Sequence, residues 1–233
     1  MLLLLLRCVW LHSKMEVEKK LCEVEPSSSL GFNISVVVDG FEKCKDGDLH
    51  LDEYIKAYEE LCIFFGLLGS VFTFITADVK DKIEILRKFR NGHDEREKYE
   101  KVEQMMEHEI DVNKKTKKAL LGSRTLLRLH RALSFTMLFM EKLSNSPNNE
   151  KASSIAANAY TETLAKFHPW LIRKAATFAM YTLPSRGDML VMVAKDLSQD
   201  EVQSRLKNCV IAIRPVYEEI DRLYSQYELH GLP

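Results

Sequence analysis

The segment Ser123–Leu143, SRTLLRLHRALSFTMLFMEKL, spans about six helical turns and is apolar around almost its whole circumference. Leu126, Leu127, Leu129, Leu133, Met137, Leu138 and Met140 leave little room for a solvated face. The segment nonetheless carries three arginines. With Arg124 set at zero, a pitch of about 100° per residue places Arg128 near 40° and Arg131 near −20°, so the guanidinium groups share one narrow stripe. A helix apolar on nearly every side is a buried helix, and a guanidinium cannot shed its proton there, so it needs an anion or water. Neighbouring carboxylates or solvent are the ordinary partners of an arginine. A bound phosphate is the alternative, because its oxygens accept the forked donors in pairs.

A buried central helix of this kind needs helical company, and the composition supplies it. The chain has 233 residues, of which 46% are hydrophobic and 29% charged, enough for one sizeable core. Only six prolines and nine glycines interrupt it, and they fall mostly between periodic stretches, so an all-α domain is expected. A net charge of −1 argues against nucleic-acid binding through bulk basicity, leaving local recognition of an anion. The five cysteines are odd in number and contain no C-x-x-C pair, which suits reduced thiols of a cytosolic protein.

At the leading end, MLLLLLRCVWLHSK imitates a secretory leader, but no basic residues precede the leucines and Arg7 interrupts the run. Residues 1–29 close on Pro26-Ser27-Ser28-Ser29 and read as an appended, poorly ordered segment before a domain at 30–233, with Met15 an alternative start. No stretch reaches the length of a membrane span.

Eight or nine helices follow. Phe32–Lys45 holds a β-branched run that suits a strand as well as a helix, and the helical surroundings favour the helix. Leu51, Tyr54, Ile55, Tyr58, Leu61, Cys62 and Phe65 recur at three and four, as an amphipathic helix requires. Further helices are expected over about Ser70–Arg90, over Asp94–Lys118 with a thin apolar seam, and over Lys151–Phe167. Pro169 at a first helical position, with His168 as its cap, opens another that runs to about Thr182. Asp188–Lys195, a helix capped by the Ser198/Glu201 box and reaching Cys209, and a last one over Ile211–Glu228 complete the set.

Asp78 and Lys82 lie four apart on the Ser70–Arg90 helix, and on a surface such a pair is a solvated ion pair worth about 0.3–0.5 kcal/mol. Phe74, Ile75, Val79 and Ile83 flank it and also allow a rim position. Were Lys82 to join Arg124 and Arg128, the local balance of three positive charges and one negative would suit a phosphate monoester near its dianion. His168 reads as a helix cap packed on the core. The chain lacks H-E-x-x-H, a glycine-rich phosphate loop and G-x-S-x-G, so neither enzyme chemistry nor a cofactor is expected.

The run Asp78-Val79-Lys80-Asp81-Lys82, the segment Arg124–Leu133 and the triplet His168-Pro169-Trp170, in this order and spacing, resemble the glycolipid transfer protein family over about Leu30–Pro233. The resemblance implies a two-layer helical sandwich whose surface head-group site opens into an apolar pocket for both lipid chains. It also implies that Asp78 accepts from the sphingoid amide and hydroxyl, that Lys82, Arg124 and Arg128 hold a phosphate, and that His168 bonds the acyl amide. Glycolipid-binding members carry a tryptophan where Arg128 stands, so the implied ligand is ceramide-1-phosphate.

The expected activity is then transfer of that lipid between membranes by a monomer, cytoplasmic with peripheral membrane contact and with no bond made or broken. On the order of thirty methylenes at roughly 0.8 kcal/mol each put the unaided escape of such a lipid near 20 kcal/mol, which is the need a carrier meets. Trp170, Arg173, Lys174 and the cluster from Lys114 to Lys118 are the candidate docking residues, the lysines being equally suited to a solvated helix end. A glycosphingolipid carrier, a helical lipid sensor or adaptor, and a phospholipid hydrolase are the competing expectations.

Overall fold

The computed structural model describes residues 32–69, 72–92, 96–194 and 196–233, apart from the side chain of Phe74. The segment 1–29, with Cys8, Cys22 and Met15, lies outside the described residues. Among those described run nine α-helices and no strand beyond one isolated bridge. They are α1 (Ile34–Cys44), α2 (Leu51–Leu67), α3 (Thr73–Asn91), α4 (Val102–Thr116), α5 (Leu121–Asn145), α6 (Ala152–Glu162), α7 (Trp170–Tyr181), α8 (Arg186–Val193) and α9 (Gln199–Gln226).

The ambiguous β-branched run is helical. Asn33 caps α1 by accepting the Ser35 N–H at 3.0 Å, and Ile34, Val37, Phe41 and Cys44 then fall on one buried face. Burial of side chains such as Val37 and Phe41 is worth about 1.5–3 kcal/mol each, more than the helix propensity lost at the branched positions. Gly40 sits at the crossing with α2, where a Cβ would lie 2.9 Å from the Ala57 Cβ, so only glycine lets the two helices approach so closely.

Five helices close a circuit in which each packs on the next: α1 on α2, α2 on α3, α3 on α5, α5 on α9, and α9 back on α1. Across the circuit, α2 also faces α5. The gap is bridged by the Tyr58 hydroxyl donating to the Leu129 carbonyl and by the Phe64 and Phe139 rings, 6.4 Å apart. Phe41, Tyr54, Phe64, Phe139 and Leu143 fill the apolar interior. Of the remaining helices, α4 and α6 pack on α5, α7 on α6, and α8 on α9. Cys44, Cys62 and Cys209 are free and buried. Burial pushes the thiols of Cys44 and Cys209 up to about 12 and that of Cys62 to about 11.

Several boundaries differ from the sequence expectation for local reasons. The stretch expected as one helix from Asp94 breaks at Glu100-Lys101. There the chain extends to pair with residues 49–51, through Leu51 N–H to Glu100 O at 3.0 Å and Val102 N–H to Leu49 O at 2.9 Å. Tyr99 therefore ends a short 3-10 turn and stacks on Phe89, with ring centroids 4.7 Å apart. The Lys151–Phe167 helix stops at Glu162, with a 3-10 turn at Ala165–Phe167 beyond it. Pro169 occupies the cap itself rather than the first helical position, and His168 closes the preceding turn.

The two expected C-terminal helices are one. Val202, Leu206, Cys209, Ile213, Val216, Ile220 and Leu223 keep a single buried face through Pro215. Pro215 deprives the Ile211 carbonyl of its N–H, and Ile211 is 69% exposed, so the missing bond falls on the solvent side of the helix, where it costs least. The expected Ser198/Glu201 capping box is formed.

Candidate functional site

The arginine helix is fixed at both ends by side chains from elsewhere. At its N-terminus Glu109 of α4, buried, accepts from Gly122 N–H at 2.7 Å, Ser123 N–H at 2.8 Å and the Ser123 hydroxyl at 2.7 Å. A carboxylate there satisfies two orphan donors and complements the positive end of the helix. Gly122 leaves room for this contact: a Cβ there would come within 2.8 Å of the Met105 Sδ and 2.9 Å of the Glu109 Oε1, so both side chains would have to move. The Tyr224 hydroxyl donates to the Ser123 carbonyl at 2.7 Å. At the other end Arg186, fully buried, donates through Nε to the Leu143 carbonyl at 3.0 Å and through Nη1 to the Asn148 Oδ1 at 2.6 Å.

With α5 held in this way, its three arginines have different surroundings. Arg124 is half-buried, and its Nε is buried without a hydrogen-bond partner. Arg128, one turn on, is exposed. Arg131 is already engaged, its guanidinium 4.2 Å from the centroid of the Phe167 ring and its Nη2 donating to the His230 carbonyl at 2.8 Å. Burial, with Arg128 as a lesser cause, pushes the Arg131 pKa down. The stripe therefore offers two guanidinium groups to a ligand and spends the third on joining the C-terminal segment to the turn before His168.

Asp78 and Lys82 lie on α3, which packs directly on α5. Lys82 Nζ is 2.5 Å from the Asp78 Oδ1, and the two side chains differ in exposure, 13% for the lysine and 67% for the aspartate. A surface pair would be solvated at both partners. Here the lysine is largely covered and the carboxylate is not, so the pair sits at a rim with the carboxylate outermost.

His168 closes the 3-10 turn between α6 and α7. Its Nδ1 lies 2.9 Å from the Tyr160 hydroxyl. Burial lowers the His168 pKa, and the negative charge of Asp78 partly offsets that effect, which places the two side chains in one electrostatic neighbourhood. The structure thus joins Asp78 to Lys82 by contact and to His168 by field, and sets Arg124 and Arg128 on the helix packed beneath α3.

No sequence pattern marks Glu109, Tyr160 or Arg186. Glu109 precedes Gly122 by thirteen residues across a loop, Tyr160 precedes His168 by eight across a helix end, and Arg186 precedes no motif, so local spacing carried no signal for them.

The outward face of α7 is the other unusual surface. Ala176, Ala179 and Met180 face the body, while Trp170, Lys174, Phe178 and Tyr181 share the opposite side. The aromatic residues are 57%, 69% and 75% exposed. Residues 170–175 are exposed at every position, Leu171 and Ile172 among them. No described helix is long and apolar enough to cross a membrane.

This all-helical chain belongs to the glycolipid transfer protein family, whose profile matches residues 49–195. The chain is 36% identical over 213 residues to the human ceramide-1-phosphate transfer protein, covering 88% of this chain and 99% of that one. The zebrafish (Danio rerio) ceramide-1-phosphate transfer protein is 37% identical over 210 residues, 87% of this chain and 98% of that one. A crystal structure of the human protein in complex with 12:0 ceramide-1-phosphate superposes with a TM-score of 0.80 at 34% identity, covering 87% of this chain and all of that one.

Proposed function

We propose that this protein is a non-enzymatic carrier that moves ceramide-1-phosphate between membranes. The observation that carries the reading is the buried, unpartnered Nε of Arg124 beside the exposed guanidinium of Arg128. A buried orphan donor costs about 1–3 kcal/mol, and a phosphate oxygen removes that cost while accepting from both arginines. A neutral sugar would not compensate the cluster. Lys82, Arg124 and Arg128 against Asp78 leave a local surplus of two positive charges, matched by a phosphate monoester near its dianion.

In this reading Asp78, the outermost group of its pair, accepts from the sphingoid amide and hydroxyl, and His168 donates to the acyl amide carbonyl. Both chains enter the apolar interior by displacing side chains that fill it, and burial there removes most of the cost of leaving the bilayer. Nothing in the cycle makes or breaks a covalent bond. The similarity to the ceramide-1-phosphate transfer proteins supports the same ligand.

Docking to the donor and acceptor surfaces falls to the outward face of α7. Trp170, Leu171, Phe178 and Tyr181 match the interfacial region of a bilayer, and Arg173 and Lys174 match anionic head groups. Lys114, Lys115, Lys117 and Lys118, all exposed, are a second contact of the same sign. The carrier works as a monomer at the cytoplasmic side of membranes, with residues 1–29 appended to the transfer domain at 30–233.

Native mass spectrometry of the protein after incubation with ceramide-1-phosphate vesicles tests the reading. A 1:1 complex whose extracted lipid has unchanged mass supports it. A dephosphorylated or deacylated product would make the protein an enzyme, and the absence of any complex would remove the reading altogether.

A further inference from the structure

Tyr160 stands outside the set of residues that would touch the lipid, yet its position decides what His168 can do. It lies near the C-terminal end of α6, only 5% exposed, with its ring 5.7 Å from the imidazole and its hydroxyl 2.9 Å from Nδ1. A neutral imidazole has one nitrogen that donates and one that accepts, and the bond made by one nitrogen sets the role of the other. A phenol hydroxyl is a good donor and a poor acceptor, because its lone pair is delocalised into the ring. Burial also pushes the Tyr160 hydroxyl up, so it keeps its proton, and pushes His168 down, so the ring is neutral at neutral pH.

We infer that Tyr160 is a positioning residue for lipid binding: its hydroxyl donates to Nδ1 of His168, fixing the ring as the Nε2–H tautomer, with that N–H committed to a carbonyl acceptor on the ligand. The inference rests on the reading of His168 as the partner of the acyl amide and adds the reason why its free nitrogen is a donor. The opposite tautomer would present a lone pair to a carbonyl oxygen and repel it. Backbone geometry serves the same end. The His168 N–H donates to the Ala165 carbonyl at 3.3 Å, and the ring of its neighbour Phe167 lies against the Arg131 guanidinium, so the turn is anchored to α5.

The test combines long-range 15N–1H NMR of the full chain with a double-mutant cycle. His168 signals are assigned by their loss in His168→Ala. In the native protein at pH 8 we expect a protonated Nε2 and an unprotonated Nδ1, and a mixture of tautomers in Tyr160→Phe. Affinity for ceramide-1-phosphate, read by vesicle capture, should fall about 3- to 10-fold in Tyr160→Phe and by less than about 1.5-fold when the same change is made in the His168→Ala background.

Equal losses in the two backgrounds would make Tyr160 a structural residue only and overturn the proposal, as would a native ring protonated at Nδ1. These readouts separate it from the reading beneath it. His168→Ala with undiminished affinity removes the ligand role of His168, and the proposal with it, whichever tautomer the spectra report.

Discussion

Replacing Arg124 by methionine should move stability and binding in opposite directions. The Arg124 Nε is a buried donor without a partner, on a residue whose side chain is otherwise half-exposed. An orphan donor of this kind costs about 1–3 kcal/mol, and partial exposure of the guanidinium trims the recoverable part to about 0–2 kcal/mol. Methionine keeps the aliphatic stem and has no donor. Arg124→Met should therefore unfold at the same temperature as the native chain or a few degrees higher, since 1 kcal/mol corresponds to roughly 2–4 °C in a domain of this size. Binding loses charge-assisted hydrogen bonds worth about 1.5–3 kcal/mol, or roughly 10- to 150-fold in affinity. Thermal denaturation followed by circular dichroism gives the first quantity, and capture of ceramide-1-phosphate from vesicles the second. A variant that melts well below the native protein while binding as tightly would show Arg124 to be a structural residue, and the assignment of the phosphate site to α5 would fail with it.

Other side chains should separate fold from site. Arg186→Met leaves the Leu143 carbonyl and Asn148 without their donor and should cost about 2–4 kcal/mol in urea unfolding, with lipid affinity unchanged in the folded fraction; equal stability would refute the capping role. Burial drives His130 down to about 4, although the Asp221 carboxylate 3.1 Å from its Nε2 opposes the shift. The unfolded chain, with a histidine pKa near 6.5, takes up this proton first. The contribution is therefore present in full above pH of about 6.5 and lost as pH falls toward 4, a swing on the order of 3 kcal/mol. Unfolding measured at pH 7 and pH 5 should show the loss, and His130→Gln should flatten it; an unaltered slope in the variant assigns the loss to other groups. Trp170→Ala, at a position 57% exposed, should weaken partition onto anionic vesicles by about tenfold without changing the melting temperature. Unaltered partition would place the docking surface elsewhere.

The architecture was legible where periodicity and burial agree. The stretch from Leu51 shows its buried face directly, and the helix over Ser123–Leu143 could be extended only by two residues at each end, to Leu121–Asn145. Local pattern misleads where a distant contact overrules it. The Asp94–Lys118 seam breaks because residues 100–102 pair with 49–51, and α9 continues through Pro215 because its buried face continues. The site follows the same rule. Asp78 and Lys82 share a helix turn, so four-residue spacing located their contact. The three arginines looked equivalent because azimuth alone does not reveal that Phe167 and the His230 carbonyl already occupy Arg131. Glu109 and Tyr160 act across loops, where a sequence pattern has no period to carry the information.

Head-group discrimination is the most direct test of the central claim. Transfer of fluorescently labelled ceramide-1-phosphate and of a monohexosylceramide with identical chains should be followed between donor and acceptor vesicles under the same conditions. If a cationic cluster on α3 and α5 selects the ligand, the phosphate lipid moves and the sugar lipid does not, and Arg128→Leu abolishes the difference by stopping phosphate transfer. Equal or faster movement of the sugar lipid would contradict the account.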